Sequence, residues 1–234
     1  MNTKTIRNKG LNLFLFFSLA LTFSSCNYMP TLHNTPMLSK AGEVQISLMD
    51  ENFIMFDLQT AVGVTNHVGL MVNSRFSYLM FEDIKSSILS AEKGLGYYTG
   101  SGFEIYGGAG KSWYKPVDEN EEESGHFNTF FIQPAYGGTR PIFFQSAFGG
   151  ARPKTSFFNS EAQSIVALRF SGVNHMGKTH MFFEQGVVGK IGWNWVRIVT
   201  NFGFSIYMGN RKELSWSYNT FLFGMGVQLS IGRK

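Results

Sequence analysis

The sequence predicts an all-β protein, an antiparallel up-and-down transmembrane β-barrel of about ten strands that follows a cleaved signal peptide. Apolar and polar residues alternate along most segments after the leader, as they do in strands with two different faces. The apolar face is continuous, and the polar face is small and rich in glycine. The 234 residues of the chain include 26 glycines. Only 15% of the residues are charged, fewer than the outer surface of a soluble barrel needs.

The chain begins with an export signal, which we assign to residues 1–25. Lys4, Arg7 and Lys9 make its start positive. The apolar core that follows runs from Leu11 to Phe23 and is too short for a comfortable transmembrane helix. Removal of this leader lowers the formal net charge from +4 to +1, so we expect no nucleic acid among the partners.

Cys26 is the single cysteine of the chain, so no internal disulfide explains it. The residues Phe23-Ser24-Ser25-Cys26 resemble a bacterial lipobox, in which the cysteine is acylated and the leader is cut before it. The alternative is ordinary signal cleavage near Ser25, which leaves a spare thiol. With a lipobox, residues 26–42 are a flexible lipid-anchored tether, and residues 43–232 form the barrel.

Ten segments carry the strand pattern, and turn residues separate most of them. The stretch from Phe81 to Lys93 is the best helical segment, and we interpret it as a loop with one or two turns. The predicted strands are Glu43–Asp50, Ile54–Val64, Val68–Tyr78, Lys93–Thr99, Gly102–Trp113, His126–Gly138, Ala162–Val173, Thr179–Gly192, Val196–Met208 and Thr220–Ile231.

A short internal repeat leaves the strand count open. Residues 131–141 match residues 143–153 at seven of eleven positions. We treat the second copy, Ile142–Gly150, as a loop, because bacterial single-chain barrels usually have an even number of strands. Eight or twelve strands are the alternatives to ten.

Aromatic residues near the strand ends favour a membrane barrel over a soluble, lipid-anchored one, because aromatic girdles mark the two membrane interfaces. A closed barrel also pairs every backbone group inside a membrane. The predicted interface aromatics are Tyr78, Trp113, Trp193, Trp195, Trp216 and Tyr218.

The polar faces of the predicted strands carry ionisable side chains that we expect to meet in the lumen. Three acids and four bases favour an ion-pair network that plugs a narrow lumen, and the alternative is a selective pore or proton path. The predicted network consists of Asp57, Arg75, Glu104, Arg169, Glu184, Lys190 and Arg197.

These features together resemble the small, uncharacterised outer-membrane β-barrel lipoproteins of some Gram-negative bacteria. The resemblance spans most of residues 26–232. It implies an acylated Cys26, outer-membrane lipid as a partner, and the barrel-insertion and lipoprotein-sorting machineries as further partners. The motifs that carry it are Cys26, Tyr28-x-Pro30 with Asn34-x-Pro36, Gly42-Glu43, Gly94-Leu-Gly-Tyr-Tyr98, Glu104-x-Tyr106-Gly107-Gly108 and Phe131-Ile-Gln-Pro134.

Motifs of known chemistry are incomplete in this chain. Gly107–Ser112 resembles the end of a phosphate-binding loop, but Ile105 stands where the first glycine is needed. The histidines lack metal-ligand spacing, and we interpret the acidic run Asp118–Glu123 as a solvated loop rather than a calcium site. We therefore predict no catalytic residue, no metal, no cofactor and no enzyme, with lipid hydrolysis as a remote alternative.

The expected function is a structural role or binding through the loops at residues 79–92, 115–125 and 150–161. The alternatives are a narrow solute channel and a tethered soluble ligand-binding barrel. We expect short turns on the periplasmic side of the outer membrane, and the N-terminal tether on that same side.

Overall fold

The structure, a computed structural model, describes residues 30–51, 55–81, 84–116, 125–141, 161–210, 218 and 220–233. None of these residues forms a helix long and apolar enough to cross a membrane. Several predicted features lie outside the described residues. These are the export signal, Cys26, Trp216, the acidic run, the second repeat copy, and most of the predicted loops at residues 115–125 and 150–161.

Within the described residues, ten antiparallel strands close into one barrel in which each strand pairs with its neighbours in the sequence and β1 pairs with β10. This confirms the predicted all-β, up-and-down, ten-stranded barrel. The strands are β1 (Val44–Glu51), β2 (Met55–Gly63), β3 (Val68–Phe81), β4 (Ile84–Tyr98), β5 (Phe103–Pro116), β6 (Gly125–Pro141), β7 (Glu161–His175), β8 (Lys178–Gly192), β9 (Val196–Tyr207) and β10 (Phe221–Ile231).

The two ends of the barrel differ in what they carry. At the end that we call the terminal end, β1 begins and β10 finishes, and the connections at residues 64–67, 99–102, 142–160 and 193–195 join the strands. At the opposite end, β1 finishes and the connections at residues 52–54, 82–83, 117–124, 176–177 and 208–220 join the strands. The predicted binding loops at residues 115–125 and 150–161 therefore belong to different ends.

The predicted loop over residues 79–92 is wrong, because residues 79–81 belong to β3 and residues 84–92 belong to β4. The ladder between the two strands continues from Tyr78, opposite Ser87, to Phe81, opposite Ile84. The helix-favouring run Ala91-Glu92-Lys93 suggested another structure, but pairing on both sides of β4 outweighs local preference.

Burial alternates along the strands, and it separates an apolar outer face from a polar interior. Large apolar side chains are exposed on every strand, as in Leu48, Phe56, Leu95 and Phe202, each of which exposes 57–59% of its surface. Inward-facing positions are buried and hold most of the charged residues of the strands. This arrangement is the reverse of a soluble protein, which buries its apolar residues.

The turn between β4 and β5 depends on one glycine. Gly102 has a positive φ of 97°, and a Cβ atom there would clash with the carbonyl oxygen of Gly137 on β6. The close approach is a structural contact, because the amide of Gly137 donates a 2.9 Å hydrogen bond to the carbonyl of Gly102. Gly100 in the same turn has open space around its Cβ position.

We expect Gly102→Ala to lower the free energy of unfolding by at least about 1–2 kcal/mol, because alanine resists this backbone conformation and its Cβ displaces β6. Gly100→Ala is the matched control and is expected to change stability by less than about 0.5 kcal/mol. Guanidinium unfolding of the protein refolded in lipid vesicles measures both values. Equal midpoints for the two variants would contradict this account of the turn.

Candidate functional site: the barrel lumen

An N-terminal segment fills the lumen. Residues 30–38, which we call the lumen segment, are all buried although they belong to no strand. They bond to side chains from eight strands, which only a chain inside the barrel can reach. The wall residues in these hydrogen bonds are Asp57 and Gln59 on β2, Asn73 and Arg75 on β3, Glu92 on β4, Glu104 on β5, Gln133 on β6, Arg169 on β7, Lys190 on β8 and Asn201 on β9.

This placement corrects the prediction of a flexible tether over residues 26–42, as far as residues 30–38 are concerned. Proline and asparagine predicted a segment without regular structure, and the segment indeed forms none. Its backbone groups are instead bonded to the polar side chains of the wall. A strand-free segment is stable there because buried peptide groups find partners other than water.

The wall binds the backbone of the lumen segment from several sides. Three wall amides donate to its carbonyl groups: Gln59 to Leu32, Gln133 to Asn34, and Asn201 to His33, over 2.7–3.3 Å. The ammonium of Lys190 donates to the carbonyl of Thr35 over 2.6 Å. On the facing wall, the amide of Met37 donates to the carboxylate of Glu104 over 2.8 Å.

Arg75 forms one ionic cluster of the lumen. Its guanidinium donates to Asp57 over 2.7 and 3.1 Å and also pairs with Glu51. A further N–H of Arg75 donates to the carbonyl of Pro30 over 2.9 Å. The side chains of Arg75, Asp57 and Glu51 are at most 2% exposed, so the two carboxylates share one guanidinium partner and have little contact with water.

Arg169 forms a second cluster that includes the lumen segment directly. Its guanidinium pairs with Glu92 at 2.6 Å and with Glu184 at 3.5 Å, and it lies 4.1 Å from the ring centroid of Phe131. It also donates to the hydroxyl of Thr31 over 2.7 Å. That hydroxyl donates in turn to Glu92 over 2.8 Å. The hydroxyl of Thr31 therefore bridges Arg169 and Glu92, the two members of this ion pair.

Arg197 forms a third cluster near the terminal end. It donates to the carboxylate of Glu161 over 2.9 Å, to the side chain of Gln163 over 2.9 Å and to the carbonyl of Trp193 over 3.2 Å. Glu161 is 35% exposed, so this pair is open to water on one side.

The structure places all seven residues of the predicted network in the interior. Asp57 meets Arg75 and Glu184 meets Arg169, whereas Glu104 and Lys190 bond to the lumen segment. The sequence analysis missed three acids that complete the pairing. Glu51 ends a strand, Glu92 lies in the stretch interpreted as a loop, and Glu161 begins a strand.

Inward glycines of the wall make room for side chains of the lumen segment. A Cβ on Gly186 would lie 2.5 Å from the ring of His33, and one on Gly69 would lie 2.9 Å from Leu38. A Cβ on Gly224 would overlap Leu32. The glycine-rich inner face was a signal in the sequence that something other than wall side chains fills the lumen.

The predicted interface aromatics fall in different places. Trp113, Trp193 and Trp195 are exposed, and the last two stack at the terminal end with ring centroids 6.4 Å apart. Tyr78 lies on β3. Tyr218 instead packs edge-on against the inward Phe182, with centroids 5.2 Å apart, so it belongs to the interior.

Neither the strands nor the lumen segment assemble a familiar chemical site. Within the ranges that the structure covers, no three His, Cys, Asp or Glu side chains are grouped to hold a metal ion. Gly107–Ser112 lies within β5 and does not lead into a helix, so it lacks the geometry of a phosphate-binding loop. His180 contacts Tyr207 at 3.1 Å in the interior. The arrangement holds an uncharged segment in place by hydrogen bonds with polar and charged side chains of the wall.

No protein-family model matches the chain, and a comparison with curated proteins finds no significant match.

We expect Arg169→Ala to lower the free energy of unfolding by about 3–5 kcal/mol, because Glu92 and Glu184 would remain buried without a cation. Arg197→Ala is the matched comparison and is expected to cost about 1–2 kcal/mol, because water reaches Glu161 when its partner is lost. Guanidinium unfolding in lipid vesicles measures both. An equal loss in the two variants would argue against the ionic role of Arg169.

Proposed function

We propose that this protein is an outer-membrane β-barrel, anchored through an acylated Cys26, with a structural or binding role. The observation that carries the proposal is the apolar outer face, to which all ten strands contribute exposed large side chains. A soluble barrel with such a face would aggregate, because soluble monomers rarely expose continuous apolar patches of more than a few hundred Å². In a bilayer the same face contacts lipid, and the closed ladder satisfies the backbone.

The small number of charged residues on the outer face also favours a membrane environment. Among outward-facing strand residues with described side chains, the charged ones are Asp50, Lys93, Lys111 and Lys115. Three of the four are lysines on the neighbouring strands β4 and β5. The ammonium of Lys111 lies 5.6 Å from the ring centroid of Trp113. Lysine stems can lie along an apolar surface while the charged end reaches the interface, where tryptophan is also favoured.

The contents of the lumen favour a plugged barrel over a channel. Buried ion pairs and the lumen segment occupy the space through which a solute would pass. A narrow channel would need the lumen segment to leave, and its departure would break the contacts of Arg75, Arg169 and Lys190. The binding role therefore falls to the connections between the strands. Of these, the β5–β6 connection carries the acidic run and joins its strands at the opposite end.

A semi-native gel of isolated outer membranes tests the proposal. A closed membrane barrel keeps its fold in detergent until it is heated, so we expect boiled and unboiled samples to migrate differently. The matched variant is Cys26→Ser, which we expect to lose incorporation of labelled palmitate and to keep the heat-dependent shift. An unshifted protein that is released from membranes by carbonate would contradict the barrel, and labelled palmitate on Cys26→Ser would contradict the anchor.

A further inference from the structure

The lumen segment has a direction, which determines where the chain before it leaves the barrel. The carbonyl of Pro30 is bound by Arg75, seven residues beyond the start of β3. Further along the segment, Asn34 donates to Asn73, five residues beyond that start. Met37 bonds to Glu104, the second residue of β5. The segment therefore descends steadily toward the terminal end.

The chain after the lumen segment reaches the terminal end of the barrel just before β1 begins. The amide and hydroxyl of Ser39 donate to Glu43 over 2.7 and 2.6 Å. The amide of Gly42 donates to the carbonyl of Gly63, the last residue of β2, over 2.8 Å. The chain then turns, and β1 runs back through the wall toward the opposite end.

Pro30 is the first residue of the lumen segment, and it lies level with the end of β1 and the start of β2, at the opposite end of the barrel. Its partner Arg75 pairs with Glu51, the last residue of β1, and with Asp57 near the start of β2. β1 and β2 are the two shortest strands, with 8 and 9 residues. The described wall is therefore lowest beside Pro30, where β1 ends at Glu51 and β2 begins at Met55.

The covalent chain limits how far Cys26 can be from Pro30. Four residues span at most about 14 Å when fully extended. The seven strand residues from Arg75 back to Val68 cover about 23 Å along β3, or about 18 Å along the barrel axis at a tilt near 40°. Cys26 cannot return to the terminal end over this distance, and the filled lumen blocks the direct route.

We infer that the chain passes through its own barrel, so that Cys26 and the end of β10 lie at opposite ends. This inference rests on the proposed membrane setting for its consequence, which is that the acyl anchor and the C-terminal residues lie on opposite faces of the membrane. With the end of β10 in the periplasm, the acyl chains enter the outer leaflet over the low rim of β1 and β2. The expected periplasmic tether is incompatible with this path.

Single-cysteine reporters and a membrane-impermeant maleimide test the inference. Met176→Cys marks the opposite end, where Met176 is 78% exposed in a two-residue turn. Ser101→Cys marks the terminal end, in the exposed turn between β4 and β5. Asn27→Cys reports on the chain next to Cys26. An acylated Cys26 has no free thiol, so the unsubstituted protein is the background control.

The maleimide is applied to intact cells and, separately, to lysed cells. We expect Asn27→Cys and Met176→Cys to behave alike: both react in intact cells, or both react only after lysis. Ser101→Cys is expected to show the opposite behaviour. This expectation holds for both orientations of the barrel in the membrane. Reaction of Asn27→Cys together with Ser101→Cys would overturn the inference. A protease site inserted after Asn27 gives a second readout if the thiol is unreactive, and cleavage on the side of Ser101→Cys would overturn it equally.

The same samples distinguish this failure from a failure of the proposed function. Each variant is first checked for the heat-dependent gel shift. A shifted barrel in which Asn27→Cys follows Ser101→Cys refutes the passage through the lumen and leaves the membrane barrel intact. A protein without the shift, in which Met176→Cys and Ser101→Cys react together, refutes the membrane setting and removes the inference with it.

Discussion

Inside this barrel, every buried charge depends on a partner that the wall or the lumen segment supplies. Arg75 and Arg169 are each 1% exposed, and each is surrounded by two carboxylates. Water cannot screen these groups, so removing a partner would cost several kcal/mol. A further donor of Arg75 reaches Pro30, and a further donor of Arg169 reaches Thr31. The polar interior is therefore complete only with the lumen segment in place.

Strand alternation made most of the fold predictable from the sequence. Val68–Tyr78 shows why, since Leu70, Val72 and Phe76 fall on the outer face and Asn73 and Arg75 fall inside. Where the pattern weakened, the prediction was wrong. Residues 84–93 contain Ala91, Glu92 and Lys93, which favour helix in isolation, and only pairing with β3 and β5 makes them a strand.

Local sequence patterns could not predict the position of the lumen segment. It has no periodicity, and its partners lie far away in the sequence, up to 168 residues for the bond between Asn201 and His33. The same holds for the acids that pair with the predicted cations. Inward position marked Arg169 as a lumen residue, but its pairing with Glu92 depends on how the barrel closes. The inward charges predicted a plugged lumen, but only the inner glycines, such as Gly186 beside His33, were a sequence sign that a segment from outside the wall helps to fill it.

Hydrogen–deuterium exchange over residues 30–38 in the protein embedded in lipid nanodiscs tests this account most directly. The amides of Leu32 and Met37 donate to the buried carboxylates of Asp57 and Glu104, so the account predicts strong protection of this segment, comparable to that of β3. Exchange as fast as in the unfolded chain, with the strands still protected, would show a free tether and contradict the filled lumen.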